Sequence, residues 1–383
     1  MAKHKKISNR KRRKRKLVLF VVEIVILALV LLALFAYQKL DLIQNKILDK
    51  DKISVNPVTE ETLQTFEGYT TIALFGLDNR QAGVYSTGNS DVIMVMSIDN
   101  DTKNVNMVSV YRDTYLNIAG VGESQNFRKC NAAYAYGGAE QAINMLNQNL
   151  DLDIEDYVSF DFSAVAEAVD ILGGVDIEIT SSTELNELNK YINHTNKVLG
   201  TSVSQIGSTG VQTLNGVQAV AYSRIRYTAG GDFKRAERQR RVLNEMIKKA
   251  KRANLVELNE LINAVFPDIE TSLTNAEMLS MAAAMMNYDM SGSGGFPADR
   301  TTMKLGSKGS IVVPCDLLTN VTKLHQQLYG TEEYEPSQTV QDYNYIITVD
   351  TGKGVGSAVE DEFSDKDDFT GSGNEEDSNT EGE

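Results

Sequence analysis

The chain has 383 residues, with 38 Lys and Arg against 52 Asp and Glu, a formal net charge of −14, two cysteines and three histidines. That length supports a large core, two cysteines are too few for a disulfide framework, and His4, His194 and His325 lie too far apart in sequence for zinc-ligand spacing. The charge is divided unevenly: residues 1–16 hold ten basic side chains and no acid, whereas residues 38–383 hold 28 basic against 51 acidic ones.

Residues 1–16 read as a cytoplasmic basic tail, because a membrane span follows directly. Residues 17–37, LVLFVVEIVILALVLLALFAY, are apolar except for Glu23, and at about 1.5 Å per residue they cross a hydrocarbon core of about 30 Å. The basic flank predicts that the N-terminus stays inside and the rest lies outside the cell membrane. The run is longer than the ~7–15 apolar residues of a cleaved signal peptide, so a signal anchor is expected. Taken alone, the basic tail also resembles a nucleic-acid-binding tract, but the adjoining span favours the topogenic reading. Residues 38–66 read as an extracellular stalk with a breaker at Asn56-Pro57.

Apolar runs predict strands at 70–76, 92–98 and 105–110, with DNDTKN turning the last two into a hairpin. A helix is expected at 139–150 after Gly137-Gly138, then a strand at 157–162, a helix at 163–172 stopped by Gly173-Gly174, and a strand at 175–179. Residues 180–212 are polar and weakly patterned and read as an insertion. Helical spacing returns at 255–266 and 276–288; SGSGG at 291–295 reads as a flexible joint, 311–313 as a strand and 317–329 as a last helix. From 331 the chain is rich in Ser, Gly and acids, with twelve acids and two lysines in its last 34 residues, so 331–383 is expected to be disordered. Interleaved strands and helices predict a three-layer α/β/α extracellular domain with a central mixed sheet over 67–330, preceded by one transmembrane helix.

The stretch 224–241, RIRYTAGGDFKRAERQRR, packs six arginines and one lysine into an otherwise acidic body. Arginine's planar fork fits phosphate oxygens in pairs. Arg224 and Arg226 alternate as on an extended segment. After Gly230-Gly231, Asp232 can cap a helix on which Arg235, Arg238 and Gln239 share a face. A helix N-terminus attracts anions and gains nothing from basic residues in its first turns, so a phosphate site is preferred over a solvated basic face. Asp78 and Arg80 follow the first strand, Asp91 precedes the second, and Arg112 and Asp113 follow the third. If the strands are neighbours, these five residues meet at one sheet edge, where open α/β sheets bind ligands. Two carboxylates there suit a Mg²⁺ that takes its other ligands from water and phosphate, although acids beside arginines also form plain structural ion pairs. The Met- and Ala-rich helices at 163–172 and 276–288 offer an apolar lining for a lipid chain, or ordinary core. No G-x-S-x-G elbow or P-loop occurs.

The ordered set GLDNR, NSDVIM, SVYRDTY, KCNAAYAYGG, ILGGVDIEI, LNGVQAVAYSRIRY and GDFKRAERQR resembles the signature of the LytR-CpsA-Psr family, over roughly 69–250. The resemblance implies a membrane-anchored phosphotransferase that moves a glycopolymer from a polyprenyl pyrophosphate carrier to peptidoglycan, with Mg²⁺ and without nucleic acid. Carried over by position, it implies Asp78 and Asp91 as metal ligands. Arg80, Arg112, Arg224, Arg226, Arg235, Arg238 and Gln239 become pyrophosphate contacts, and Arg112 and Asp113 the catalytic pair. Two positions depart from the family pattern: Asn89 stands where Arg is common and Tyr111 where Pro is common. A membrane-bound transcription attenuator, a lipid-binding module without turnover, and a pyrophosphatase are the alternatives.

Overall fold

A computed structural model describes residues 38–39, 42–77, 85 and 88–359. The basic tail, the 17–37 run and 360–383 lie outside the described residues, and among those described no helix is long and apolar enough to cross a membrane. In chain order the main elements are β1 (Gln44–Asn45), α1 (Glu60–Glu67), β2 (Tyr69–Leu77), β3 (Ser90–Asp99), β4 (Asn104–Val110), β5 (Tyr115–Asn117), β6 (Phe127–Lys129), α2 (Ala132–Leu150), β7 (Asp156–Asp161), α3 (Phe162–Ile171), β8 (Val175–Ile179) and α4 (Ser182–Leu199). There follow β9 (Gly210–Leu214), α5 (Gly216–Ser223), α6 (Gly231–Ala250), α7 (Leu255–Val265), β10 (Ile269–Thr271), α8 (Asn275–Ala284), β11 (Asp289–Phe296), β12 (Arg300–Lys304), β13 (Ser310–Pro314), α9 (Leu317–Tyr329) and α10 (Gln338–Thr351).

Seven strands form the central sheet in the order β1-β10-β7-β2-β3-β4-β11. It is mixed: β2, β3 and β4 are antiparallel neighbours, whereas β7 runs parallel to β2 and β11 parallel to β4. Strand alternation feeds two cores. In β2, Ala73, Phe75 and Leu77 join one cluster, with α2, α9 and α10, while Ile72 and Leu74 join the other, against Phe162, Leu243, Met278 and Met281. Helices therefore lie on both faces. A third cluster joins the antiparallel β8–β9 pair to α4, α5 and Val242 of α6.

Four sequence expectations change. The 38–66 stalk is packed onto the body: β1 pairs with β10, and Ile43, Leu48 and Phe66 are buried. The segment 180–212 holds the 18-residue helix α4, capped by the Ser181 hydroxyl on the Glu184 amide at 3.1 Å and by left-handed Gly200. Its pattern is weak because its buried face includes Glu184, Glu187 and Thr195 beside Leu188 and Ile192.

Past the expected boundary at 330, α10 sends Val340, Tyr343 and Ile347 into the first core. Buried Asp151 ties both ends of the domain together, accepting from Asn56 Nδ2 at 2.6 Å and from the Ser337 amide and hydroxyl at 2.7 and 2.6 Å. A carboxylate taking three such bonds inside a core is a strong, directional tie.

Finally, SGSGG is no joint but part of the edge strand β11. A Cβ on Gly295 would sit 2.0 Å from the Tyr111 hydroxyl and 2.4 Å from its Cζ; one on Gly294 would sit 2.0 Å from Gln327 Nε2. Glycine is required where a ring presses on the strand. The Tyr111 ring cannot retreat easily, because it lies edge-on to Phe233 at 4.7 Å with the Arg300 guanidinium 5.0 Å above it. The Gln327 amide, by contrast, ends a flexible chain. Gly295→Ala should therefore lower stability by about 1–3 kcal/mol and Gly294→Ala by clearly less, as read by urea denaturation of both variants. Equal losses would contradict this account of the strand.

Candidate functional site

Because β2–β3–β4 is an antiparallel meander, the end of β2, the start of β3 and the end of β4 share one edge: Leu77 pairs with Ser90 and Met94 with Ser109. The expected gathering of Asp91 and Arg112 follows. Asp91 is the second residue of β3, and Arg112 Nη1 donates to its Oδ1 at 2.5 Å. Asp78 and Arg80 lie outside the described residues.

The arginine segment folds differently from an extended strand. Arg224 caps the C-terminus of α5, and a loop leads to left-handed Gly230, the N-cap of α6, at φ 84°, followed by Gly231 at φ 50°. Two consecutive left-handed residues are a glycine conformation. The N-cap of α6 has no capping side chain, so Asp232 is not a cap but the helix's second residue. Its carboxylate instead gathers the cluster: Arg235 Nη2 lies 2.9 Å away, Arg112 Nε 3.5 Å and Arg226 Nε 3.6 Å. Sequence reasoning missed this role. The signal was an acid set inside the densest basic run of the chain.

The three arginines line a cavity of about 600 Å³. Its wall carries Arg112, Arg224, Arg226, Arg235 and Lys190 against Asp91 and Glu187, with Gln239, Phe162, Tyr191, Tyr227 and His194 completing it. The excess is cationic, which suits an anion. Burial pushes the Arg235 guanidinium down to about 10; Asp232 opposes that, and neighbouring Arg112 and Arg226 add to it. Its buried Nε has no hydrogen-bond partner. An arginine so strained in charge gains from an anion's arrival. Burial also pulls Arg112 down, but Asp91 and Asp232 carry it above its ordinary value.

Phe162 and Gln239 also line a second, adjoining cavity of about 200 Å³. Its other walls are almost entirely apolar: Val92 and Met94 of β3, Ala164, Val165 and Ala168 of α3, Val242, Leu243 and Met246 of α6, and Val265 and Ile269 beyond. The expectation of an α3 lining is met. The 276–288 helix does not reach the slot; Met278 and Met281 pack into the core instead.

Two expected site residues stand elsewhere. Asp113 is not on the cavity wall and pairs with Lys129 at 3.2 Å. Arg238 lies behind the wall: its Nε donates to Glu184 at 2.9 Å, with Thr228 Oγ1 at 3.0 Å and the Ile225 carbonyl at 3.4 Å. Although burial raises the Glu184 carboxyl, the Thr180 amide and Arg238 pull it below its usual range. Tyr111, where the family pattern has Pro, donates its amide to the Phe296 carbonyl at 2.9 Å, a bond proline cannot make. It thereby pins the strand end that carries Arg112 to β11.

The LytR_cpsA_psr family model matches residues 30–292. The chain belongs to the LytR-CpsA-Psr family. Among its relatives, the polyisoprenyl-teichoic acid–peptidoglycan teichoic acid transferase TagU of Enterococcus faecalis is 32% identical over 217 residues, 55% of this chain and 64% of that protein. The chain thus spans just under two thirds of that relative's length. Of solved structures, protein gbs0355 from Streptococcus agalactiae matches with a TM-score of 0.59 at 21% identity, covering 76% of this chain and 98% of that one. YwtF (TagT) of Bacillus subtilis, solved with bound octaprenyl pyrophosphate lipid, matches at 0.50 and 18% identity, over 80% of this chain and all of that one. At these identities the likeness is one of fold.

Arg235 and Arg238 therefore part company within one LytR-CpsA-Psr helix. Arg238→Gln leaves the buried Glu184 carboxylate without its cationic partner and should cost about 3–5 kcal/mol. Arg235→Gln removes a buried guanidinium whose attraction to Asp232 is offset by repulsion from Arg112 and Arg226, so stability should change by less than about 1 kcal/mol. Denaturant midpoints of the two variants check this; a destabilised Arg235→Gln beside an unaffected Arg238→Gln would contradict it.

Proposed function

We propose that this protein is a membrane-anchored phosphotransferase that takes a glycopolymer from a polyprenyl pyrophosphate carrier and joins it to peptidoglycan outside the cell. The observation that carries this reading is the pair of neighbouring cavities. A cationic chamber and an apolar slot share Phe162 and Gln239 in their walls, which is the two-part chemistry of a prenyl pyrophosphate. The family's named teichoic acid transferases support it. The basic tail and the 17–37 run support the anchor and the outward orientation.

In this reading Arg112, Arg224, Arg226, Arg235 and Gln239 hold the pyrophosphate. Phosphoryl transfer proceeds through a loose transition state and asks the protein mainly for positioning and charge neutralisation. Four preset guanidiniums in a partly dry chamber provide both. Arg80 is the remaining proposed contact. Asp232 spaces the arginines, and Arg238 with Glu184 fixes the helix that presents them.

Among the described residues no group of three or more His, Cys, Asp or Glu comes together. A cation that takes one or two carboxylates and fills its shell with water and phosphate oxygens, as Mg²⁺ does, is the kind that Asp91 and Asp78 would suit. Asp91, on the cavity wall with one oxygen on Arg112, and Asp78 are the residues that would hold it. Bound there, it would neutralise charge building on the pyrophosphate oxygens.

Arg235→Gln should weaken octaprenyl pyrophosphate binding about ten- to a hundredfold, the worth of one charge-assisted hydrogen bond. Lys should restore only part, lacking the fork. Asp91→Asn should lower transfer activity and Mg²⁺ dependence together. Calorimetric titration and a transfer assay with a lipid-linked glycan read these outcomes, and unchanged lipid affinity in Arg235→Gln would refute the reading.

A further inference from the structure

A pyrophosphate that joins a lipid to a glycan has two ends, and the reading above assigns only one. The lipid end enters the apolar slot past Phe162 and Gln239. Glu187, Lys190, Tyr191 and His194 line the cationic chamber but not the slot. They stand at i, i+3, i+4 and i+7 of α4 and so form a single stripe. Buried Leu188 and Ile192, each one residue on from Glu187 and Tyr191 and so about 100° round the helix, fix its rotation. We propose that this stripe binds the first sugar ring of the donor, the pyranose attached to the pyrophosphate; the proposal rests on the function inferred above.

The chemistry of the stripe is wrong for phosphate and right for a sugar. Glu187 keeps its side chain only 11% exposed, beside Lys190 at 2.5 Å. A carboxylate accepts hydrogen bonds only; with Lys190 balancing its charge, Glu187 offers a phosphate no donor and calls for O–H or N–H groups. Ring hydroxyls supply them. Half-buried Tyr191 adds a flat apolar face with a polar tip, the combination that packs on the C–H face of a pyranose. The exposed His194 and Lys190 add donors at the open end. The arginines thus read the part common to every polyprenyl pyrophosphate, and α4 reads the sugar that differs between carriers.

The test compares two probes on the full chain: octaprenyl pyrophosphate, and the same lipid carrying one pyranose from a panel that includes N-acetylhexosamines. Glu187→Gln, Tyr191→Ala and His194→Ala are titrated with both. His194, being exposed, gives a variant whose fold is not in question. The expected result is affinity for the bare lipid within about twofold of wild type, and about tenfold weaker binding of the best sugar-bearing lipid, one hydrogen bond's worth. Equal losses for both lipids, losses for neither, or a wild type that does not distinguish any sugar-bearing lipid from the bare one would each overturn the proposal. A wild type that fails to bind octaprenyl pyrophosphate at all would overturn the functional reading beneath it.

Discussion

One carboxylate between three guanidiniums sets the terms for the rest of this molecule. Asp232 lies 2.9–3.6 Å from Arg235, Arg112 and Arg226, residues that arrive from a helix, a strand end and a loop. Like charges brought within about 8 Å repel by roughly 2 kcal/mol per pair at an effective dielectric of about 20. A single acid offsets part of that and leaves a cationic remainder. Anchored partners make the arrangement possible: Glu184 holds Arg238 at the back of α6, and Tyr111, clasped between Phe233, Arg300 and Gly295, holds the strand that bears Arg112. The fold thus maintains a charge excess that it would lose on its own, which is how a pre-organised anion site is built.

The apolar slot follows from the same architecture. The sheet face that carries Val92 and Met94 would be ordinary core if α6 and α3 closed on it fully. A cavity remains between them instead, and Gln239 and Phe162 line both it and the polar chamber. α6 serves both: arginines and Gln239 near its start, and Val242, Leu243 and Met246 one to two turns on. One helix therefore spans the junction between the charged and the apolar parts of an amphiphilic ligand.

Much of this was legible before any coordinates. The strand readings at 70–76, 92–98, 105–110, 157–162 and 175–179 correspond to β2, β3, β4, β7 and β8, and the short β3–β4 turn is what brings Asp91 to Arg112. The arginine run marked the anion site because no stabilising purpose explains it. What was hidden depended on pairing across distance. Arg238 is indistinguishable in sequence from Arg235, and only Glu184, 54 residues away, makes it structural. α4 escaped because its buried face uses glutamates, which read as solvated positions until their partners are known. SGSGG reads as a linker because glycine's usual meaning is flexibility; here Tyr111 and Gln327 lean on the strand. The helix α10 was obscured by the acidic residues that follow it.

The most direct measurement is a crystal structure of this protein with octaprenyl pyrophosphate. The account predicts pyrophosphate density against Arg112, Arg224, Arg226 and Arg235, with the prenyl chain running past Phe162 into the slot beneath Val92 and Met94. Lipid density elsewhere, or a head group that leaves Arg235 bound only to Asp232, would contradict it.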